Sequence, residues 1–190
     1  PLFSVLAIVV LIAAAAYLVA RNRAARQASG TVKQHSRNHY HGWWAFLLAT
    51  VPAILLLVVW TVGTSVYLEQ RIAGELAVQA ADSPIASQSL QLSLVKSLAR
   101  GMRVLEESGA ASIPTTFAEL QPLLSAHGIA LASDTQDYMI PIARDANAVA
   151  DKAGLVGGLL AILVAAVGAA IGIRQVELRD GQPVDPAVVE

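Results

Sequence analysis

The chain has 190 residues, 55% of them hydrophobic and 14% charged, with a mean hydropathy of +0.56. A soluble domain needs more polar surface than this, so a membrane protein is the first class to test. A net charge of -1 with no clustered basic face gives nucleic acid no footing, and the absence of Cys excludes disulfides, thiolate metal sites and thiol nucleophiles.

The first segment, 1–20, contains a run of about 19 residues without a charge, enough at 1.5 Å per residue for the roughly 30 Å hydrocarbon core. It reads as a transmembrane helix rather than a signal peptide, because the positive charges follow the apolar run instead of preceding it. Residues 21–42 hold Arg21, Arg23, Arg26, Lys33 and Arg37 and no Asp or Glu. In a short loop that bias places the segment in the cytoplasm, with the N-terminus outside. The second span is 43–67. Trp43 and Trp44 stand at its cytoplasmic interface, Trp60 and Tyr67 lie toward the other side, and Pro52 is expected to kink it near the middle. The kink frees a backbone carbonyl, which Thr50 or a neighbouring helix would satisfy. The third span, 153–173, is again free of charge and returns the chain to the cytoplasm, where 174–190 form a polar segment.

Residues 68–152 separate the second and third spans and are predicted to form a helical loop outside the cytoplasm. The second helix is expected to run on through 68–81, and the third to begin by 143. Leu94, Val95, Leu98, Met102 and Leu105 recur at helical spacing ahead of Gly109, predicting an amphipathic helix over about 87–108. Thr116 and Glu119 have capping-box spacing at the start of a short helix carrying Phe117, Leu120, Leu123 and Leu124 and closed by Gly128, although Pro122 weakens that helix. The predicted fold is an all-α membrane protein with three transmembrane helices.

None of the three spans contains Asp, Glu, Lys, Arg or His, the residues that mark proton relays and ion paths inside membranes. His35 and His39 have the i, i+4 spacing of paired metal ligands, with His41 close by. No carboxylate or thiol completes a set there, so a solvated interfacial loop is the better account. Asp134 and Asp137 lack a partnering His, Ser nucleophile or phosphate loop and read as a solvated turn. Ser83, Ser87, Ser89, Ser93 and Ser97 are ordinary for exposed loops and helix starts. No catalytic residue, metal ligand or cofactor is predicted, and the chain is not expected to be an enzyme.

The third span carries a pattern. Gly154, Gly158, Ala161, Ala165, Gly168 and Gly172 step by 4, 3, 4, 3 and 4, which sets small residues along one helix face. The commonness of Ala and Gly in membrane helices is the plain alternative. As a packing face, the seam would receive the first or the second span. The basic loop, led by Arg21, Arg23 and Arg26 beside Trp43 and Trp44, would meet anionic lipid at about 1 kcal/mol per cation near the surface.

Residues 21–60 resemble the N-terminal extension of bacterial phosphate ABC transporter permeases, the C subunit of the Pst system. The resemblance rests on an Arg-rich loop after the first span (Arg21, Arg23), a His-Ser pair (His35, Ser36), a Tyr-x-Gly (Tyr40, Gly42), and a Pro-containing span ending in Trp (Pro52, Trp60). The order of one span, a basic loop, a second span, a long outer loop and a third span is similar too. The resemblance implies an accessory segment of a phosphate importer in a bacterial inner membrane, working with a sister permease subunit, a cytoplasmic ATPase and a periplasmic phosphate-binding protein. It also implies that the chain is part of something longer, as does its opening on Pro1 rather than Met, with the permease core following 174–190. The rival readings are a membrane-anchored sensor, against which Pro183 and Pro186 argue by interrupting any signalling helix, and a small scaffold protein.

Overall fold

The computed structural model describes residues 2–27, 38–79, 87–109 and 112–180. Among these the chain is all-helical, with α1 (Leu2–Gln27), α2 (Asn38–Gln79), α3 (Gln88–Glu107), α4 (Phe117–Ala126) and α5 (Met139–Asp180), and no strand. α1 has 26 residues and α2 and α5 have 42 each. At 1.5 Å per residue these are about 39 Å and about 63 Å long. Stretches of α1 (Leu2–Arg23), α2 (Gly42–Gln79) and α5 (Met139–Gln175) are long and apolar enough to cross a membrane. Many of their large apolar side chains face outward, among them Leu11, Val59 and Leu163, each at least 60% exposed. So much exposed apolar surface is at home in lipid and not in water, and the chain is a membrane protein.

The boundaries move at the polar ends. Helix continues through Gln27 and resumes at Asn38, so the 21–42 stretch, read as a loop, is helical at both ends; Arg, Ala and Gln are good helix formers with no reason to stop at the edge of the apolar run. α2 extends to Gln79 and α5 starts at Met139, in keeping with the helical continuations expected over 68–81 and from 143, so each helix passes well beyond the charge-free runs of 43–67 and 153–173.

The chain divides into two units, residues 1–61 with 154–190, and residues 62–153. In the second unit, Ile72 and Leu76 of α2, Leu94, Val95, Leu98, Met102 and Leu105 of α3, Leu120 and Leu124 of α4, and Met139, Ile140, Ile142 and Ala143 of α5 form one buried core. Burying each large side chain contributes roughly 1.5–3 kcal/mol, which makes this core the dominant stabilising term of the unit. Ion pairs surround it: Lys96 with Glu69, Arg71 with Asp145 at 2.8 Å, and Arg103 with Asp151 at 2.9 Å. All six side chains are more than a third exposed, so water and salt screen these pairs and they add little beside the core. The Arg71 guanidinium is held even more firmly charged than usual, first by a hydrogen bond with Tyr67 and then by Asp145 and Glu75.

The helix ends show how local signals were used. Ser87 caps α3 by accepting from Leu90 N at 3.3 Å, and Gly109 follows the helix at φ +84°, where only glycine is unstrained. α4 closes on Gly128 (φ +75°): Ile129 N donates to Leu124 O at 2.9 Å and Gly128 N to Ser125 O at 3.0 Å, the paired bonds of a Schellman turn. Pro122 lies inside α4 and the helix forms around it. The Thr116–Glu119 capping box is not made. Thr116 occupies the cap position without a side-chain bond, and the first helical N–H, that of Phe117, donates instead to Asp137 Oδ1 at 2.6 Å. A carboxylate twenty residues away thus serves one of the open N–H groups of the first turn, a different one from the Glu119 N–H that a capping-box Thr would take.

That bond gives Asp137 a structural role. Asp137→Ala is expected to destabilise α4 by about 1 kcal/mol, the usual cost of losing a cap, and to speed hydrogen exchange at the Phe117 amide in the full chain in detergent. An unchanged exchange rate would mean that water serves the amide equally well.

Candidate functional site

The first unit is built from small residues. On α1, Val9, Ala13, Ala16 and Ala20 are buried, and on α2, Ala45, Ala49 and Ala53 are wholly so. On α5, Gly158, Ala161, Ala165, Gly168, Ala169 and Gly172 are buried too. Ala13, Ala16, Ala20, Ala45, Ala49 and Ala169 form one cluster, and Val9, Ala53 and Ala165 another, so all three helices share this packing. Lipid is as apolar as the side chains, so association depends on close contact, and small faces allow the closest.

The glycines of α5 do not contribute equally. A Cβ on Gly172 would stand 2.6 Å from Ala45 Cα, and one on Gly168 would overlap the Leu48 carbonyl; both obstructions are backbone. A Cβ on Gly158 would come within 2.9 Å of Val5 Cγ2, a side chain able to turn. Gly154 is exposed with open space around it. Gly157, outside the sequence-predicted seam, lies against the indole of Trp60, so the Trp of the family motif packs on glycine. The matching faces of α1 and α2 were not singled out in the sequence, although their spacings (9, 13, 16, 20 and 45, 49, 53) carry the same helical signal.

At one end of the bundle the aromatic residues meet. Tyr17 and Trp43 stack edge-on at 6.3 Å between ring centroids, and Trp43 and Phe46 at 5.5 Å. Trp44 Nε1 donates to Gln175 Oε1 at 2.8 Å, tying α2 to α5. Gly42 sits against the Tyr17 ring, where a Cβ would come within 2.7 Å. Trp43 and Trp44 remain about half exposed, each an apolar body with a polar N–H. Arg21 and Arg23 are exposed on the last turns of α1. Of the remaining motif residues, Tyr40 lies in the first turn of α2, while His35 and Ser36 fall outside the described residues.

Among the described residues no three His, Cys, Asp or Glu side chains are grouped to hold a metal ion. Asp134 and Asp137 serve local structure: Asp137 caps α4, and Asp134 accepts a long contact from Ser133. Ser87 caps α3, and Ser93 bonds back to Leu90 O at 2.8 Å. The buried alanines and glycines of α1, α2 and α5 are suited to holding these helices together.

No curated protein and no solved structure matches the chain. A family described as phosphate ATP-binding cassette transporter matches residues 6–170, from the first turns of α1 to two residues short of Gly172. It is the family that residues 21–60 resemble, and with so much of its length matched the chain belongs to the phosphate ATP-binding cassette transporter family.

Proposed function

We propose that this chain is the accessory N-terminal membrane segment of an ABC-type phosphate importer permease in a bacterial inner membrane. The observation that carries the reading is the family match over 6–170, which takes in all three apolar helices and the polar helical unit between the second and third. In this reading the N-terminus is outside, the stretch led by Arg21 and Arg23 is cytoplasmic, and the unit of 62–153 is periplasmic. The segment contributes no catalytic group. It stabilises the permease through its alanine and glycine faces and presents the helical unit to a periplasmic phosphate-binding protein or to the sister permease, while the ATPase acts from the cytoplasm.

The test is phosphate uptake at low external phosphate by cells whose full-length permease lacks residues 1–173, with membrane insertion checked in parallel. Collapse of uptake in an inserted permease is the expected result, and intact uptake would remove any active part in import. A second deletion, of 82–142 alone, isolates the docking role, which normal uptake would exclude.

A further inference from the structure

Pro52 lies inside α2 and has no N–H to give to the carbonyl of Leu48, four residues back. In hydrocarbon such a carbonyl has no water to turn to. Thr50 does not settle the matter, since its buried hydroxyl has no hydrogen-bond partner among the described residues. The nearest atom to the missing Cβ of Gly168 on α5 is the Leu48 carbonyl oxygen, followed by Leu48 C and, at 3.0 Å, Ala49 Cα. The one carbonyl that Pro52 strips of its partner is therefore the one against which α5 sets a glycine, and a glycine has two Cα–H groups to offer.

We propose that Gly168 supplies the donor that Pro52 removes: a Cα–H of Gly168 seated on Leu48 O makes Pro52 and Gly168 two halves of one backbone joint between α2 and α5. A Cα–H···O contact is weaker than the N–H···O bond it replaces. The joint therefore holds the two helices together while leaving α2 freer to bend at this turn than an unbroken helix would be. This assignment rests on the bundle alone and stands or falls independently of phosphate transport.

The experiment follows the isotope-edited infrared band of the Leu48 carbonyl in the full chain in lipid. In the native chain the band should lie between that of a free secondary amide in alkane and that of Ala49, whose partner Ala53 has its N–H. Pro52→Ala should lower it to the Ala49 position. Gly168→Ala should raise it toward the free value, yet leave it low when combined with Pro52→Ala, because the restored N–H then serves the oxygen. A native band at the free-amide position, or a Gly168→Ala band that does not move, would overturn the joint. Should Gly168→Ala fail to assemble, the native band and Pro52→Ala still decide the matter, since an unpaired carbonyl begins at the free-amide frequency and a jointed one does not.

Discussion

Gly168→Ala and Gly172→Ala should each lower the stability of the bundle by about 3 kcal/mol or more, while Gly154→Ala should leave it unchanged or raise it by up to about 1 kcal/mol. The added methyl is the same in all three, and only its surroundings differ. At Gly168 and Gly172 it meets the backbone of α2 at Leu48 and Ala45, which cannot rotate aside, so the helices must separate and lose contact along the whole interface. At Gly154 it meets open space, where Ala is simply the better helix former. Gly158→Ala falls between, at about 1 kcal/mol, because Val5 can change rotamer. Reversible unfolding of the full chain in mixed micelles would give the order. Equal effects at Gly154 and Gly168 would mean that α5 does not pack on α2 through this face.

The ranking shows what a period in the sequence can and cannot convey. The 4, 3 stepping of Gly154 to Gly172 locates a face of α5 but says nothing of what lies opposite, so Gly154 looked equal to Gly168. What separates them is the neighbouring backbone, fixed by the alanines of α2 and α1. Those alanines repeat just as regularly, but in a charge-free helix Ala also reads as filler, so their spacing was easy to pass over.

The helices themselves were legible because both membrane length and amphipathic spacing act within one segment. Ser87, assigned no role from the sequence, caps α3, whereas the glycine turns after α3 and α4 were legible for the same reason as the helices: Gly109 and Gly128 act on the residues beside them. The cap of α4 was not, since Asp137 reaches Phe117 across twenty residues and Thr116 offers a plausible local substitute. The same limit applied to the family motif. Pro52 was visible as a break in the hydrogen-bond ladder, but its counterpart lies on another helix, more than a hundred residues along the chain, where only folding brings it to Leu48.

Long-range polar contacts in the second unit lead to the other large effect, at Asn147. This residue is buried on α5, 9% exposed, and its Nδ2 donates to Ala99 O of α3 at 2.8 Å. Asn147→Asp changes little in shape but reverses the chemistry: an ionised carboxylate would face a carbonyl oxygen in a site it cannot leave, with Asp151, the partner of Arg103, one turn away. Burial and the facing Ala99 carbonyl oxygen both raise the pKa of the introduced carboxyl above its unfolded value of about 3.9. A group whose folded pKa is raised contributes its full stability below the unfolded pKa, where the protonated acid can donate to Ala99 O as the amide did, and that stability is lost as the pH rises through the folded pKa. Relative to the native chain at each pH, the variant should therefore be nearly as stable at about pH 3.5 and about 3–5 kcal/mol less stable at pH 7, the range seen when a buried charge is left without a partner. Asn147→Leu, which removes the bond without adding charge, should cost only about 1 kcal/mol at both pH values, since a single net hydrogen bond contributes that much. Unfolding of the full chain in micelles at the two pH values separates the cases. A deficit for Asn147→Asp that does not grow with pH would show that the side chain at 147 reaches water, and that α3 and α5 are joined there by their apolar residues alone.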